Sequence, residues 1–167
     1  MFFIRTAMEA DIPAVCSLLF ETWHVTYDEI LGPEKVATIV NSWLSPEAML
    51  RRLRRPHGEF LVADSGTMIG GMAFAAPDKD NAEIVNLSQL YVLPGFQRQG
   101  IGEQLFAEIE TCFPNAKRLA LEVVPQNAPA IRFYEAHGMR EVGRHNERGA
   151  PNSGIPAIRM EKDLANV

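Results

Sequence analysis

Positive charge, cysteine and long apolar runs are all scarce in this chain. Sixteen Lys and Arg stand against 21 Asp and Glu, a net charge of −5. A general nucleic-acid binder takes its affinity from a cationic surface, so that class is excluded. The one cationic patch, Arg51, Arg52, Arg54 and Arg55, reads as the solvated C-terminal end of a helix, where cations suit the dipole. Two cysteines, Cys16 and Cys112, make neither a disulfide framework nor a zinc site. Both sit in apolar helical patterns and read as small core side chains, not nucleophiles. His24, His57, His137 and His145 have no metal-ligand spacing, and no metal is expected. No apolar run approaches the roughly 20 residues that span a bilayer. Met1 to Arg5 is too short for a signal peptide. The expectation is a chain with no membrane or nucleic-acid partner and, by default, a cytoplasmic location.

What is present suffices for a core. A length of 167 residues, 47% apolar and 22% charged, predicts one soluble globular domain over 1–167. A short strand opens it at Phe2–Arg5. Thr6 and Glu9 have capping-box spacing, and Ile12, Val15, Cys16 and Leu19 then share a helical face. A second helix is predicted over Glu34–Trp43, and a third from Ser45-Pro46 to about Arg55, with Ser45 as N-cap. Strands follow at Phe60–Ala63, Met68–Ala75 and Ala82–Val92. In the last of these the apolar parity switches near Ser88-Gln89, which predicts a β-bulge. A helix over Gly100–Cys112, a strand over Lys117–Val124 and a helix over Ala128–His137 come next. Asn127 is the cap of that helix and Gly138 its stop. Strands at Met139–His145 and Ile155–Glu161 complete an α/β chain whose mixed sheet carries helices on both faces.

The chemistry concentrates in Leu90-Tyr91-Val92-Leu93-Pro94-Gly95-Phe96-Gln97-Arg98-Gln99-Gly100-Ile101-Gly102. A strand ends, a loop turns, and glycines enter the first turn of an amphipathic helix. Glycine lets backbone N–H groups approach a ligand, and a helix N-terminus suits a phosphate. Arg98 adds charge. The pattern is an anion cradle of pyrophosphate size. It lacks the Gly-Lys-Ser/Thr of a Walker loop and the third glycine of a dinucleotide fingerprint. A lone Gly-x-Gly is equally compatible with a helix start packed closely on a sheet.

Gln97-Arg98-Gln99-Gly100-Ile101-Gly102 resembles the Gln/Arg-x-x-Gly-x-Gly/Ala loop of the GNAT superfamily of acyl-CoA-dependent N-acyltransferases. Leu90 to Pro94 resembles that family's splayed fourth strand. About 25 residues on, Asn127-Ala128-Pro129-Ala130-Ile131-Arg132-Phe133-Tyr134 looks like its second cofactor motif. The resemblance implies a GNAT-like fold, a mostly antiparallel sheet splayed at the fourth strand. It also implies acetyl-CoA as co-substrate. The N–H groups of Gln97, Arg98, Gln99, Gly100, Ile101 and Gly102 would bind pyrophosphate. Leu90, Tyr91 and Val92 would pair with the pantetheine arm, one N–H polarising the thioester carbonyl. Asn127 would contact the cofactor as well as capping its helix. Tyr134 would be the general acid, since a phenol near pKa ~10 can protonate a departing thiolate.

The base is less constrained. Glu83, leading into the splayed strand, is favoured, with Glu122 near the end of the neighbouring strand as the other carboxylate; either could instead be a solvated acid. The acceptor is expected between the first helices and the last loop. Trp23 and Tyr27, within the acid-flanked segment 21–29, are candidates for cation–π contact with an amine, against a plain core role. That stretch loosely resembles the polyamine-acetylating branch of the family. The expected activity is acetyl transfer to a small-molecule amine. A protein N-terminus or lysine is the alternative acceptor, and a non-catalytic acyl-CoA sensor the second alternative. Dimers are common in such folds, so a homodimer is admissible.

Overall fold

The computed structural model describes residues 1–150 and 153–164. The expected domain over 1–167 therefore includes two short stretches, 151–152 and 165–167, that lie outside the described residues. In chain order the elements are β1 (Phe3–Thr6), α1 (Ile12–Leu31), α2 (Pro33–Trp43), α3 (Pro46–Leu53), β2 (Glu59–Asp64), β3 (Ile69–Pro77), β4 (Ile84–Val92), α4 (Ile101–Thr111), β5 (Arg118–Val123), α5 (Ala128–Ala136), β6 (Arg140–His145) and β7 (Ala157–Asp163). The strand order is β1-β2-β3-β4-β5-β7-β6 in a mostly antiparallel, seven-stranded sheet, with β4 and β5 parallel. None of the described helices is long and apolar enough to cross a membrane.

The chain divides into two compact units, Met1–Ala76 with Gln89–Phe113, and Pro77–Ser88 with Pro114–Val167. In the first, α1 buries Ile12, Val15, Leu18, Leu19, Thr22, Trp23 and Tyr27, the three- and four-residue spacing of one helical face. Its start departs from the predicted capping box. Thr6 ends β1, and the carboxylate of Asp11 instead accepts the Met8 N–H at 2.7 Å, after a short 3-10 turn over Glu9–Asp11. Helix α3 begins as expected, with Ser45 Oγ accepting the Ala48 N–H at 3.2 Å. Helix α4 seats Ile101, Leu105, Phe106 and Ile109 in the core, about 1.5–3 kcal/mol each. It can come close because β3 offers Gly71 there: a Cβ would meet Ile101 Cγ2 at 3.0 Å and the Tyr91 carbonyl oxygen at 3.2 Å.

In the second unit, β5 pairs with β7 from Arg118↔Asp163 to Val123↔Ile158, and β6 lies on the other side of β7. The parallel ladder of β4 with β5 runs only from Ile84↔Arg118 to Asn86↔Ala120. Helix α5 has its Asn127 cap, Oδ1 accepting the Ala130 N–H at 3.4 Å, and stops at Gly138, φ +90°.

The bulge expected near Ser88-Gln89 lies beyond the β4–β5 ladder, which ends at Asn86. Val85, Leu87 and Gln89 are all buried, so inward positions alternate unbroken through Gln89. The apolar pattern breaks because a glutamine takes an inward place. Register shifts are present between Ala63 and Asp64 and between Glu141 and Gly143.

Candidate active site

In the first unit, the segment after β4 is organised by backbone. The Leu93 N–H donates to the Gly70 carbonyl at 2.9 Å, and a single 3-10 turn over Pro94–Phe96 closes with Phe96 N–H to Leu93 O, also 2.9 Å. Gln97 and Arg98 are exposed, Gln97 donating through Nε2 to the Val92 carbonyl at 3.2 Å. Arg98 has φ +65° and Gly100 φ +81°. Alternating left-handed residues turn successive N–H groups inward, the geometry of an anion nest. The first helical backbone bond is Gln104 N–H to Gly100 O at 3.0 Å. From Gln97 to Glu103 no backbone N–H has an acceptor among the described residues. That row of donors meets the positive end of the α4 dipole. A Cβ on Gly100 would touch nothing, so conformation, not space, requires glycine there.

On the inner side of the same unit, Trp23 and Tyr27 are each 2% exposed. Their rings lie 4.5 Å apart, and Trp23 is 6.2 Å from the Tyr91 ring. As placed they are core, which answers to the plain reading of these aromatics. Around them are polar groups the sequence did not mark. Thr22 Oγ1, His24 Nε2 and Gln89 Oε1 are buried with no partner among the described residues. Arg52 was grouped with a solvated patch, yet it is half-buried, unlike Arg51, Arg54 and Arg55. It donates through Nη1 to the Trp43 carbonyl at 2.9 Å and approaches Met49 Sδ at 3.5 Å. Burial pushes its guanidinium pKa down; the Tyr91 hydroxyl opposes that shift. A pairing signal from sequence was absent because nothing near Arg52 in the chain predicts its neighbours.

In the second unit, Tyr134 is half-buried on α5, in edge contact with Phe133 at 5.4 Å. Glu83 precedes β4, its side chain 58% exposed and ion-paired to Lys117 at 3.1 Å. Seven residues separate it from Leu90, roughly 23 Å along an extended strand. Glu122 on β5 differs: it makes a close contact with His145 Nε2 from β6. His145 Nδ1 accepts the Glu147 N–H at 3.0 Å, which assigns the proton of neutral His145 to Nε2, facing Glu122. Neither cysteine is poised as a nucleophile. Both are half-buried; burial, with Glu59 and Glu108 adding, pushes the Cys112 thiol up to about 11.

The sequence profile of the acetyltransferase (GNAT) domain matches residues 27–164, and the chain belongs to this family. Among similar proteins is the N-alpha-acetyltransferase RimI of Mycobacterium tuberculosis, 29% identical over 71% of this chain and 74% of that one. Another is the peptidyl-lysine N-acetyltransferase YiaC of Escherichia coli, 27% identical over 83% and 84% of the two chains. In fold, the chain is similar to the PaiA N-acetyltransferase of Thermoplasma acidophilum solved in complex with coenzyme A. There the TM-score is 0.84 at 22% identity, over 98% and 99% of the two chains.

Proposed function

We propose that this chain transfers an acetyl group from acetyl-CoA to the primary amine of a small molecule, with Tyr134 as general acid. The observation that carries the reading is the run of backbone N–H groups from Gln97 to Glu103 without an acceptor, wound through positive φ at Arg98 and Gly100. A pyrophosphate matches such a row in charge and in number of acceptors. Acetyl-CoA supplies an activated thioester, which an amine converts to an amide with release of thiol.

The chain's own residues do the rest. Gln97 to Gly102 hold the pyrophosphate through main-chain N–H groups, and Leu90, Tyr91 and Val92 offer a strand edge to the pantetheine arm. Asn127 caps α5 with Oδ1 and contacts the same cofactor. Tyr134 delivers its hydroxyl proton to the departing sulfur. Removal of the amine proton is assigned to Glu122, whose carboxylate is oriented by the His145 Nε2–H. Glu83 is set aside for this step because it is exposed, held by Lys117 and distant along β4. A second reading, a protein amine as acceptor, is supported by the N-alpha and peptidyl-lysine activities in the names of the two relatives.

Thiol release from acetyl-CoA over a panel of amino acids, polyamines, aminoglycosides and short peptides tests the assignment. Tyr134→Phe is expected to lower kcat by about 10²–10⁴-fold with acetyl-CoA affinity retained. Gly100→Val, a β-branched residue forced to positive φ, lowers that affinity about 100-fold by calorimetry. Glu122→Gln lowers kcat by about 100-fold or more, against less than threefold for Glu83→Gln. Undiminished turnover in Tyr134→Phe would place the general acid elsewhere. Turnover confined to peptides would select the second reading.

A further inference from the structure

Half-buried charge without a counter-charge is costly, and Arg52 is such a charge. It is an arginine on α3, and no carboxylate among the described residues lies within 4.0 Å of it. The groups acting electrostatically on it are the Tyr91 hydroxyl and the neighbouring cation Arg51; no acid is among them. Among the described residues, only Nη1 has partners, the Trp43 carbonyl and Met49 Sδ, and the Nε–H and both Nη2–H donors have no acceptor. Those two nitrogens form the planar fork that takes a carboxylate in two parallel hydrogen bonds.

Two observations tie Arg52 to the end of β4. Tyr91, which acts on Arg52, belongs to the strand end that the proposed function gives to the pantetheine arm. Gln89, two residues earlier, reaches the same Met49 sulfur through Nε2, at 3.9 Å, while Arg52 reaches it at 3.5 Å. Gln89 is 4% exposed, and its Oε1 has no donor. A buried carbonyl left unpaired costs about 1–3 kcal/mol. Arg52 through Nη1 and Gln89 through Nε2 thus meet at one methionine sulfur, and each keeps other hydrogen-bonding atoms, a cationic fork on one and a carbonyl on the other, complementary to a carboxylate and an amine on one small molecule. It is the wrong sign for a polycation.

Resting on the acetyl-transfer reading above, we infer that the acceptor is a primary amine that carries a carboxylate, which Arg52 grips through its Nε/Nη2 fork while Gln89 Oε1 accepts an amine N–H. Arg52 and Gln89 are therefore specificity-determining residues. The free amino acids supply that chemistry, and so does a peptide whose N-terminal residue is acidic.

The test compares kcat/KM on matched probes, L-alanine with L-alaninamide and L-glutamate with L-glutamine amide, alongside spermidine and an Asp-Ala-Ala amide peptide. Wild-type protein, Arg52→Gln and Arg52→Lys are assayed together. Wild type is expected to favour the carboxylate of each pair by roughly 10- to 100-fold, mainly through KM. Arg52→Gln brings that ratio near one. Arg52→Lys, which keeps the charge without the fork, stays folded and retains a minor part of the preference. Equal rates within each pair, a preference for spermidine, or a preference that survives in Arg52→Gln overturns the inference. So does a tenfold or greater loss of acetyl-CoA affinity in Arg52→Gln, since the residue would then serve the cofactor. A preference confined to the peptide overturns a free amino-acid source. If nothing turns over although acetyl-CoA binds, the transfer reading has failed, and N-acetyl-L-alanine against its amide is titrated into protein saturated with coenzyme A. Arg52-dependent binding of the carboxylate then upholds the anion site, and its absence removes it.

Discussion

Arg5 and Arg52 are both half-buried arginines of the same unit, and they live in opposite electrostatic conditions. Arg5 is enclosed by acids: its Nη1 and Nη2 bind Asp11 at 2.8 and 2.9 Å, and its Nε binds Asp64 at 2.9 Å. Those bonds hold the guanidinium pKa far above its usual value and pull the Asp11 carboxyl below its own, while the Gly66 N–H first and Arg5 second lower that of Asp64. Asp11 also takes the Met8 N–H, so the pair ties β1 to the turn that launches α1. Arg52 has a carbonyl and a sulfur, and burial lowers its pKa. A fully partnered cation inside a fold is part of the fold. A cation whose remaining donors the fold ignores is a place to look for a ligand.

The comparison can be broken at three arginines. Arg5→Met has the largest expected effect on stability, a loss of about 2 kcal/mol in denaturant unfolding at pH 7, because it strands Asp11 at low exposure. The pH dependence follows from the direction of the Asp11 shift. A carboxyl whose folded pKa is depressed contributes in full above its unfolded value, near ~3.9, and loses that contribution as pH falls through the folded value. The gap between wild type and Arg5→Met should therefore be constant from about pH 5 to 8 and shrink below about pH 4. A gap that widens in acid would contradict the assignment.

Arg98→Gly comes next and runs the other way. Relief of a non-glycine residue from φ +65° should raise stability by about 0.5–1 kcal/mol, net of the entropy glycine adds to the unfolded chain. The lost charge should weaken acetyl-CoA binding a few-fold at low salt and less at high salt, read by calorimetry. Arg52→Gln is expected to change stability least, by under about 1 kcal/mol in either direction, while its effect appears in acceptor choice. A loss as large as that of Arg5→Met would make Arg52 another structural cation.

Much of the molecule was legible because it is written in local rules. Each helix and strand was anticipated within a few residues. Ser45 and Asn127 announced their caps, and the glycines of the Leu90–Gly102 segment announced a backbone turn, with positive φ at Gly100. What local rules left open was of another kind. Thr6-x-x-Glu9 had capping-box spacing, but Arg5 drew Asp11 into the role. The parity switch at Ser88-Gln89 reads as a bulge by pattern, and pattern does not separate that from a glutamine in an inward position, where Gln89 is buried. Glu83 was favoured over Glu122 as base; that Lys117 pairs with the first and His145 with the second is nothing a local pattern announces.

The sequence by itself determined the order of elements, the nest that suits a pyrophosphate and the family to which the chain belongs. These rest on the chain's own periodicity, caps and glycines, which act over a few residues. Tertiary structure alone decided which charges are answered. Asp64 lies 59 residues from Arg5, Gln89 lies 40 from Met49, and His145 lies 23 from Glu122. No local rule relates such positions. Whether a buried polar group is satisfied or left for a ligand depends on what packing brings beside it.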